Sequence, residues 1–214
     1  MIINRAQPGD LPRLKTLWQE AFGDSPEFIE KFFCTGFAPE RSAVADGGAG
    51  ALYWFDCLWR GKKIAYIYAV ATEKASRGKG ICAGLMAYAH KTLQAQGYRG
   101  AILVPADAGL AEMYGKMGYV ECPEAGRCGH RPLQTKEISA GEYMALRKGL
   151  LPEGGVEHTE AAFRYMETFM KFYRFAGGIC CDGEVLPGGE GEKAMYLPLD
   201  GSEEIPTYFG LSMG

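Results

Sequence analysis

No apolar run in this sequence approaches the ~20 residues that a membrane-spanning helix requires, so no transmembrane segment is expected. Positive charge is not in excess either. Its 23 Lys and Arg stand against 26 Asp and Glu, a formal net charge of -3, which leaves no surplus to neutralise a phosphate backbone. Nucleic acid is therefore not the expected ligand. Two phosphate-binding signatures are missing as well: there is no Gly-x-x-x-x-Gly-Lys-Ser/Thr, and no Gly-x-Gly-x-x-Gly followed about 20 positions on by an acidic residue. Neither a nucleotide triphosphatase nor a Rossmann dehydrogenase is supported. No internal repeat is present. Cys122, Cys128 and His130 with the adjacent Cys180 and Cys181 match no zinc spacing, so no metal is expected. Met1 to Arg5 runs straight into a polar turn without a secretory leader. With seven cysteines, an odd number, this points to reduced thiols and a cytoplasmic location.

What is present suits a globular chain. Its 214 residues suffice for a sizeable core, in one large domain or one domain with a smaller companion. Hydrophobic residues make up 47% and charged residues 23%, while 30 glycines imply many turns and a site lined by backbone. Ile2 to Arg5 reads as a strand. Asp10 opens a helix with Leu11, Leu14, Trp18, Ala21 and Phe22 at helical spacing. Ser25 followed by Pro26 caps a second helix carrying Phe28, Ile29, Phe32 and Phe33. Arg41 to Ala45, Ala49 to Leu58 and Lys63 to Thr72 follow as strands separated by glycine turns, which predicts an antiparallel meander. The last is almost wholly apolar, so both its faces should be covered.

That strand leads through Arg77-Gly78-Lys79-Gly80 into a helix with Ile81, Leu85, Tyr88, Ala89, Thr92 and Leu93 on one side, ending near Gly97. Gly100 to Val104 reads as a buried strand, Leu110 to Met117 as a short helix, and Tyr119 to Cys122 as another strand. Beyond Pro123 the composition becomes glycine-rich and proline-punctuated, which sets a boundary there. Ser139 to Glu142 is a capping box, Thr159 opens a longer helix with Phe163, Met166, Phe169, Met170 and Tyr173, a hairpin is expected around Asp182-Gly183, and Tyr208 to Met213 reads as a last strand. The aromatic stripe from Phe163 to Phe175 suits a core or the wall of a substrate pocket. His90 and His158 have no evident partner in the sequence.

The chemistry is concentrated at the glycine turn. A strand handing over to a helix through Arg77-Gly78-Lys79-Gly80 presents unpaired backbone N–H groups at the positive end of the helix dipole, and missing side chains let an anion approach. A pyrophosphate fits.

This segment resembles the pyrophosphate loop of the GNAT family of N-acetyltransferases, Arg/Gln-x-x-Gly-x-Gly/Ala, with Arg77, Gly80 and, at the last position, Cys82. The cysteine departs from the family pattern but is still small. The resemblance extends to Leu103 to Ala106 and to Tyr114-Gly-Lys-Met-Gly118-Tyr119, which is similar to the family's Tyr-x-x-x-Gly-Phe/Tyr, and to the opening from Arg5 to Phe22. It implies an α+β fold, with a central mixed, mainly antiparallel sheet flanked by helices, over residues 1–122. Residues 123–214 would form a small C-terminal α+β extension, distantly like that of the enhanced-intracellular-survival type.

The resemblance also implies acetyl-CoA as co-substrate and transfer of its acetyl group to an amine. Main-chain groups of Val70, Ala71 and Thr72 would pair with the pantetheine arm. Gly78, Lys79, Gly80, Ile81, Cys82 and Ala83 would supply amides for the pyrophosphate, with Arg77 as a nearby charge. Tyr114 would be the general acid, a phenol being a neutral donor at pH 7. The base is left open among Glu73, Glu112, a water chain and the C-terminal end of the chain at Tyr208 to Gly214. The acceptor would be a small-molecule or peptide amine, and many family members form homodimers. Two other readings stand beside this one: a non-catalytic CoA-binding or sensing module, and a partner-binding domain on the same fold.

Overall fold

The computed structural model describes residues 1–122, 125–126, 134–181, 184–187, 191–192, 194–211 and 213. Ile3–Asn4 is a two-residue strand, β1, and helix α1 spans Leu11–Phe22. Pro12 lies in its first turn, where a missing N–H costs nothing. Gly23 ends it in the left-handed region at φ 74°, donating its N–H to the Gln19 carbonyl. Leu14, Leu17 and Trp18 form the buried stripe, whereas Phe22 stays 44% exposed. Helix α2, Pro26–Lys31, is capped by the Ser25 side chain, which accepts from the Phe28 N–H.

Strands β2 (Ser42–Ala45), β3 (Gly50–Trp59) and β4 (Lys62–Thr72) form the expected antiparallel meander. Helix α3, Ile81–Ala95, buries Ile81, Leu85, Met86, Ala89 and Leu93; each large apolar side chain removed from water contributes roughly 1.5–3 kcal/mol. Strand β5 (Gly100–Leu103) then pairs parallel to β4, helix α4 covers Ala108–Lys116, and β6 is Val120–Glu121. The C-terminal stretch holds β7 (Ala125–Gly126), β8 (Lys136–Ile138), α5 (Ala140–Leu150), β9 (Glu157–His158), α6 (Glu160–Met166), β10 (Phe172–Phe175), β11 (Gly178–Cys181), β12 (Glu184–Leu186), β13 (Gly191–Glu192) and β14 (Met195–Pro198).

The main sheet has the order β1-β2-β3-β4-β5-β14-β6 with β9 added to β3, and all of its pairings except β4 with β5 are antiparallel. The fold is thus a mixed, mainly antiparallel sheet flanked by helices. Residues 123–214 lend this sheet β14 and β9 and build a second sheet, β12-β11-β10-β8. One core, with α3 and α4, covers one face of the main sheet; the other joins α1 and α2 to Tyr143, Phe163, Tyr165 and Phe209 of the C-terminal stretch.

Two expected elements differ. The helix opened by Thr159 stops at Met166, because Phe172–Phe175 finds partners on both sides, Lys136–Ile138 and Gly178–Cys180. Tertiary pairing overrides the helical spacing of its aromatics. Among the described residues, 208–211 and 213 form no strand; a single bridge, Gly155 to Tyr208, joins them to a neighbour. The turn at Asp182-Gly183 lies outside the described residues, although the strands flanking it pair antiparallel. Cys128 and His130 lie outside them too, and among the described residues no cluster of three His, Cys, Asp or Glu is placed to hold a metal. No helix among these residues is long and apolar enough to cross a membrane.

Candidate active site

The site begins with an irregularity in β4. Ala51 opposes Ala71 and Tyr53 opposes Tyr68, so Ala69 and Val70 face the single residue Leu52. This is a bulge, and Ala69 sits in it at φ 50°, a left-handed conformation that costs an alanine roughly 1–2 kcal/mol. The bulge turns the end of β4 away from β5. Their parallel pairing covers only Ile64–Tyr66 with Gly100–Ile102, and the two strands then separate. Pro105, which has no N–H to donate, follows on the β5 side.

A cavity of about 490 Å³ opens in this fork, walled by Tyr66, Ile67, Tyr68 and Ala69 on one strand and Val104, Pro105 and Ala106 on the other. Trp18, Phe22 and Phe28 from α1 and α2 close a further side, so the exposure of Phe22 has a physical reason: it stands at the rim. Asp24 is the acidic residue in the wall, held by the Trp18 indole, whose Nε1 donates to Asp24 Oδ2 at 2.7 Å. Sequence reasoning passed over Asp24. The signal was the Gly23-Asp24-Ser25-Pro26 turn, read only as a helix cap.

Beyond the bulge, Val70, Ala71 and Thr72 continue the free edge of β4 out of the cavity toward the glycine turn. Gly78 and Gly80 have φ of 75° and 78°, and a Cβ added to either would meet nothing within 4 Å. They are glycines for conformation, and the space above them is open. Gly80 caps α3 without a side-chain hydrogen bond, and no acidic residue occupies the first turn. The first bond into the helix is from Gly84 N–H to the Gly80 carbonyl, so the amides of Ile81, Cys82 and Ala83 precede the hydrogen-bonded ladder. Arg77, Gly78, Lys79 and Gly80 are exposed, and Arg77 Nε donates back to the Thr72 carbonyl at 3.3 Å.

Helix α1 fixes this loop. Arg13 pairs with Glu73, Ser76 Oγ donates to Glu73 Oε1 at 2.6 Å, and the Lys74 N–H donates to Glu20 Oε1 at 2.8 Å. The Ser76 hydroxyl first, and the Arg13 charge after it, hold the Glu73 carboxyl below its ordinary value. Glu112 pairs with Lys116 on the exposed face of α4. Neither Glu73 nor Glu112 reaches the cavity.

Tyr114 is 5% exposed on α4 and packs against Tyr119 with ring centroids 5.8 Å apart. Burial, with a smaller contribution from nearby Cys82, pushes the phenol well above its ordinary value. Tyr114 therefore keeps its proton throughout the neutral range; it lies in the same core as Cys82 and is not among the residues that wall the cavity. Burial also raises the Cys82 thiol.

The C-terminal segment arrives from the opposite side. Met213 lies in the cavity wall; its carbonyl accepts from Tyr68 Oη at 3.1 Å and its N–H donates to Tyr66 Oη at 3.4 Å. Gly214 lies outside the described residues. The two histidines without evident partners have them: His90 Nε2 is 2.9 Å from Tyr119 Oη, and His158 Nε2 is 3.1 Å from the Leu211 carbonyl.

Burial pushes His90 down to about 4, and burial followed by the Arg147 charge pushes His158 well below its ordinary value. Both stay neutral in the folded state and take up a proton only on unfolding, near pH 6.5. Their contribution to stability is complete above that pH and is lost as pH falls toward the folded values. Urea unfolding at pH 7, 6 and 5 should show stability falling by up to about 1.4 kcal/mol per pH unit for each histidine. His90→Phe should remove one of the two increments, and a slope unchanged by that substitution would refute the assignment.

The sequence matches the acetyltransferase (GNAT) domain family over residues 3–122, more than half of the chain, and the chain belongs to that family. No curated protein matches it. Among solved structures it is similar to Eis1 from Mycobacterium abscessus, with a TM-score of 0.64 and 16% identity over 85% of this chain and 53% of that one. It is also similar to a GCN5-related N-acetyltransferase from Kribbella flavida (TM-score 0.60, 14% identity, 89% of this chain and 57% of that one). A GCN5-related N-acetyltransferase from Anabaena variabilis gives 0.59 and 18% over 80% and 50%. At such identities the likeness is one of fold. The Eis1 match runs past residue 122, so it takes in part of the C-terminal extension. The chain spans about half the length of these structures.

Proposed function

We propose that this chain is an N-acetyltransferase that moves an acetyl group from acetyl-CoA to an amine of its acceptor by direct attack, with Tyr114 as general acid. Three features support the reading, the first of them carrying it: the fork opened by the β4 bulge, the uncapped glycine-rich start of α3, and a buried phenol in the same core as Cys82. Bound acetyl-CoA would supply an activated thioester. Val70, Ala71 and Thr72 would pair with its pantetheine through their main chain. The amides of Gly78, Lys79, Gly80, Ile81, Cys82 and Ala83, with Arg77, would hold the pyrophosphate, and the open space above Gly78 and Gly80 fits that group. Tyr114 Oη holds the proton that the departing sulfur receives.

The far side of the fork suits an amine. Rings of Trp18, Phe22, Phe28, Tyr66 and Tyr68 line the cavity with the carboxylate of Asp24, a setting that favours an ammonium group by charge and by its position over aromatic faces. The amine must shed a proton before it attacks. Glu73 and Glu112 are engaged with Arg13 and Lys116 and stand outside the cavity, which leaves water in the cleft or the C-terminal end of the chain beyond Met213 to take this proton.

Thermal unfolding with acetyl-CoA, free CoA and ATP tests the cofactor half. At 100 times its dissociation constant, a ligand raises stability by about 2.7 kcal/mol, roughly 5–10 °C for a chain of this size. Acetyl-CoA and CoA should both shift the midpoint and ATP should not. If none shifts it, the partner-binding reading replaces this one.

A further inference from the structure

Residues 206 and 208–211 are buried although the segment joins no sheet beyond one bridge, so its main-chain carbonyls need donors from elsewhere. Side chains supply most of them. The Tyr208 carbonyl accepts from the Val156 N–H at 2.8 Å, Phe209 from Arg147 Nη2 at 3.1 Å, Leu211 from His158 Nε2 at 3.1 Å and Met213 from Tyr68 Oη at 3.1 Å. Arg147 is the centre of this arrangement. It is 2% exposed, forks onto Glu184 with Nε to Oε2 at 2.8 Å and Nη2 to Oε1 at 2.9 Å, and gives Nη1 to the Val156 carbonyl at 2.8 Å. Glu184 is fully buried and also accepts from Tyr143 Oη at 2.9 Å and Tyr208 Oη at 3.0 Å. Gly210, at φ 70°, passes so close that a Cβ there would overlap both Glu184 Oε1 and Arg147 Nη2.

A buried ion pair adds little net stability compared with apolar residues of equal volume, so its presence calls for another account. What this one does is fix the path of the segment that ends at Met213, in the wall of the acceptor side of the fork. We propose that Arg147, through its pair with Glu184, is a positioning residue for the acceptor site: it sets where residues 209–211 lie and hence where Met213 stands against Tyr66 and Tyr68. The inference rests on the acceptor reading of that cavity. It extends it by placing acceptor recognition partly under the control of a charge pair that lies outside the cavity wall.

The test is the double variant Arg147→Met with Glu184→Leu, which removes both charges together at similar volume and leaves no lone buried ion. Two readouts are taken. The first is the ¹³C-methyl resonance of Met213 and its contacts to the Tyr66 and Tyr68 rings, which needs no activity. The second is the KM for an amine acceptor against the dissociation constant for acetyl-CoA. A displaced Met213 methyl, an acceptor KM raised on the order of tenfold or more, and unchanged acetyl-CoA binding are expected, since a shift of about 1 Å in a positioning wall suffices for such losses.

A Met213 resonance and acceptor KM equal to those of the parent would overturn the proposal, as would an equal loss of acetyl-CoA binding. If the parent acetylates no amine while the Met213 methyl moves in the variant, the acceptor reading fails and the positioning role stands. Should the double variant not unfold cooperatively, Tyr208→Phe takes its place. It keeps the ring and the ion pair and removes one tie, and it should move the Met213 methyl and raise the acceptor KM about threefold; no change in either sinks the proposal.

Discussion

Tyr114→Phe is expected to lower kcat for acetyl transfer by about a hundredfold or more, roughly 2.7 kcal/mol of barrier, while the dissociation constant for acetyl-CoA stays within about twofold. The substitution removes one hydroxyl from a ring that is 5% exposed and packed on Tyr119, so shape and packing are retained. Burial raises this phenol above its ordinary value, which means that the acid form persists as pH rises. The parent enzyme's kcat should therefore show no loss from deprotonation of Tyr114 through the range in which an exposed tyrosine ionises. Steady-state kinetics across pH, together with calorimetric titration of acetyl-CoA, checks both halves. Equal turnover in the phenylalanine variant would remove Tyr114 from the chemistry and leave the fold as a CoA-binding module. Loss of acetyl-CoA binding in step with turnover would assign the residue to binding instead.

Much of this site was legible in the sequence because its signals are local. The positive φ of Gly78 and Gly80, the uncapped start of α3 and the meander before it follow from glycine placement and apolar runs within about 40 residues of one another. The role proposed for Tyr114 was not legible locally, and it came from a family resemblance rather than from spacing. What stayed hidden depends on contacts between distant stretches. Asp24 becomes a wall of the cavity only because α1 and α2 pack under β4, and His158 meets Leu211 53 residues along the chain.

Two misreadings have the same origin. Phe172–Phe175 carries helical spacing yet lies between two strands, and Tyr208 to Met213 looks like a strand yet is tied by side chains. A period read from one segment cannot see which neighbours will compete for its hydrogen bonds. The family match ends at residue 122, and the composition shift at Pro123 gave no hint that Met195–Pro198 would return to lie between β5 and β6.

The largest expected loss of stability comes from taking one charge out of the pair that the sequence did not announce. Arg147→Met should leave Glu184, which is fully buried, with only the hydroxyls of Tyr143 and Tyr208 as donors, and should strip the Val156 and Phe209 carbonyls of theirs. Breaking a buried pair from one side costs about 3–5 kcal/mol, because an uncompensated charge is left behind. Against a total of about 5–15 kcal/mol for a folded domain, that is on the order of 10 °C in the midpoint for a chain of this length.

Adding Glu184→Leu to Arg147→Met removes the stranded carboxylate, so the double variant should regain about half of the loss, the remainder being the two carbonyls without donors. Urea unfolding of parent, single and double variants measures the cycle. A double variant as unstable as the single, or less stable, would mean that the carboxylate was never the source of the penalty. Partial recovery in the double, combined with a displaced Met213, would separate the penalty of a stranded carboxylate, which removal of both charges relieves, from the displacement of the segment, which it does not.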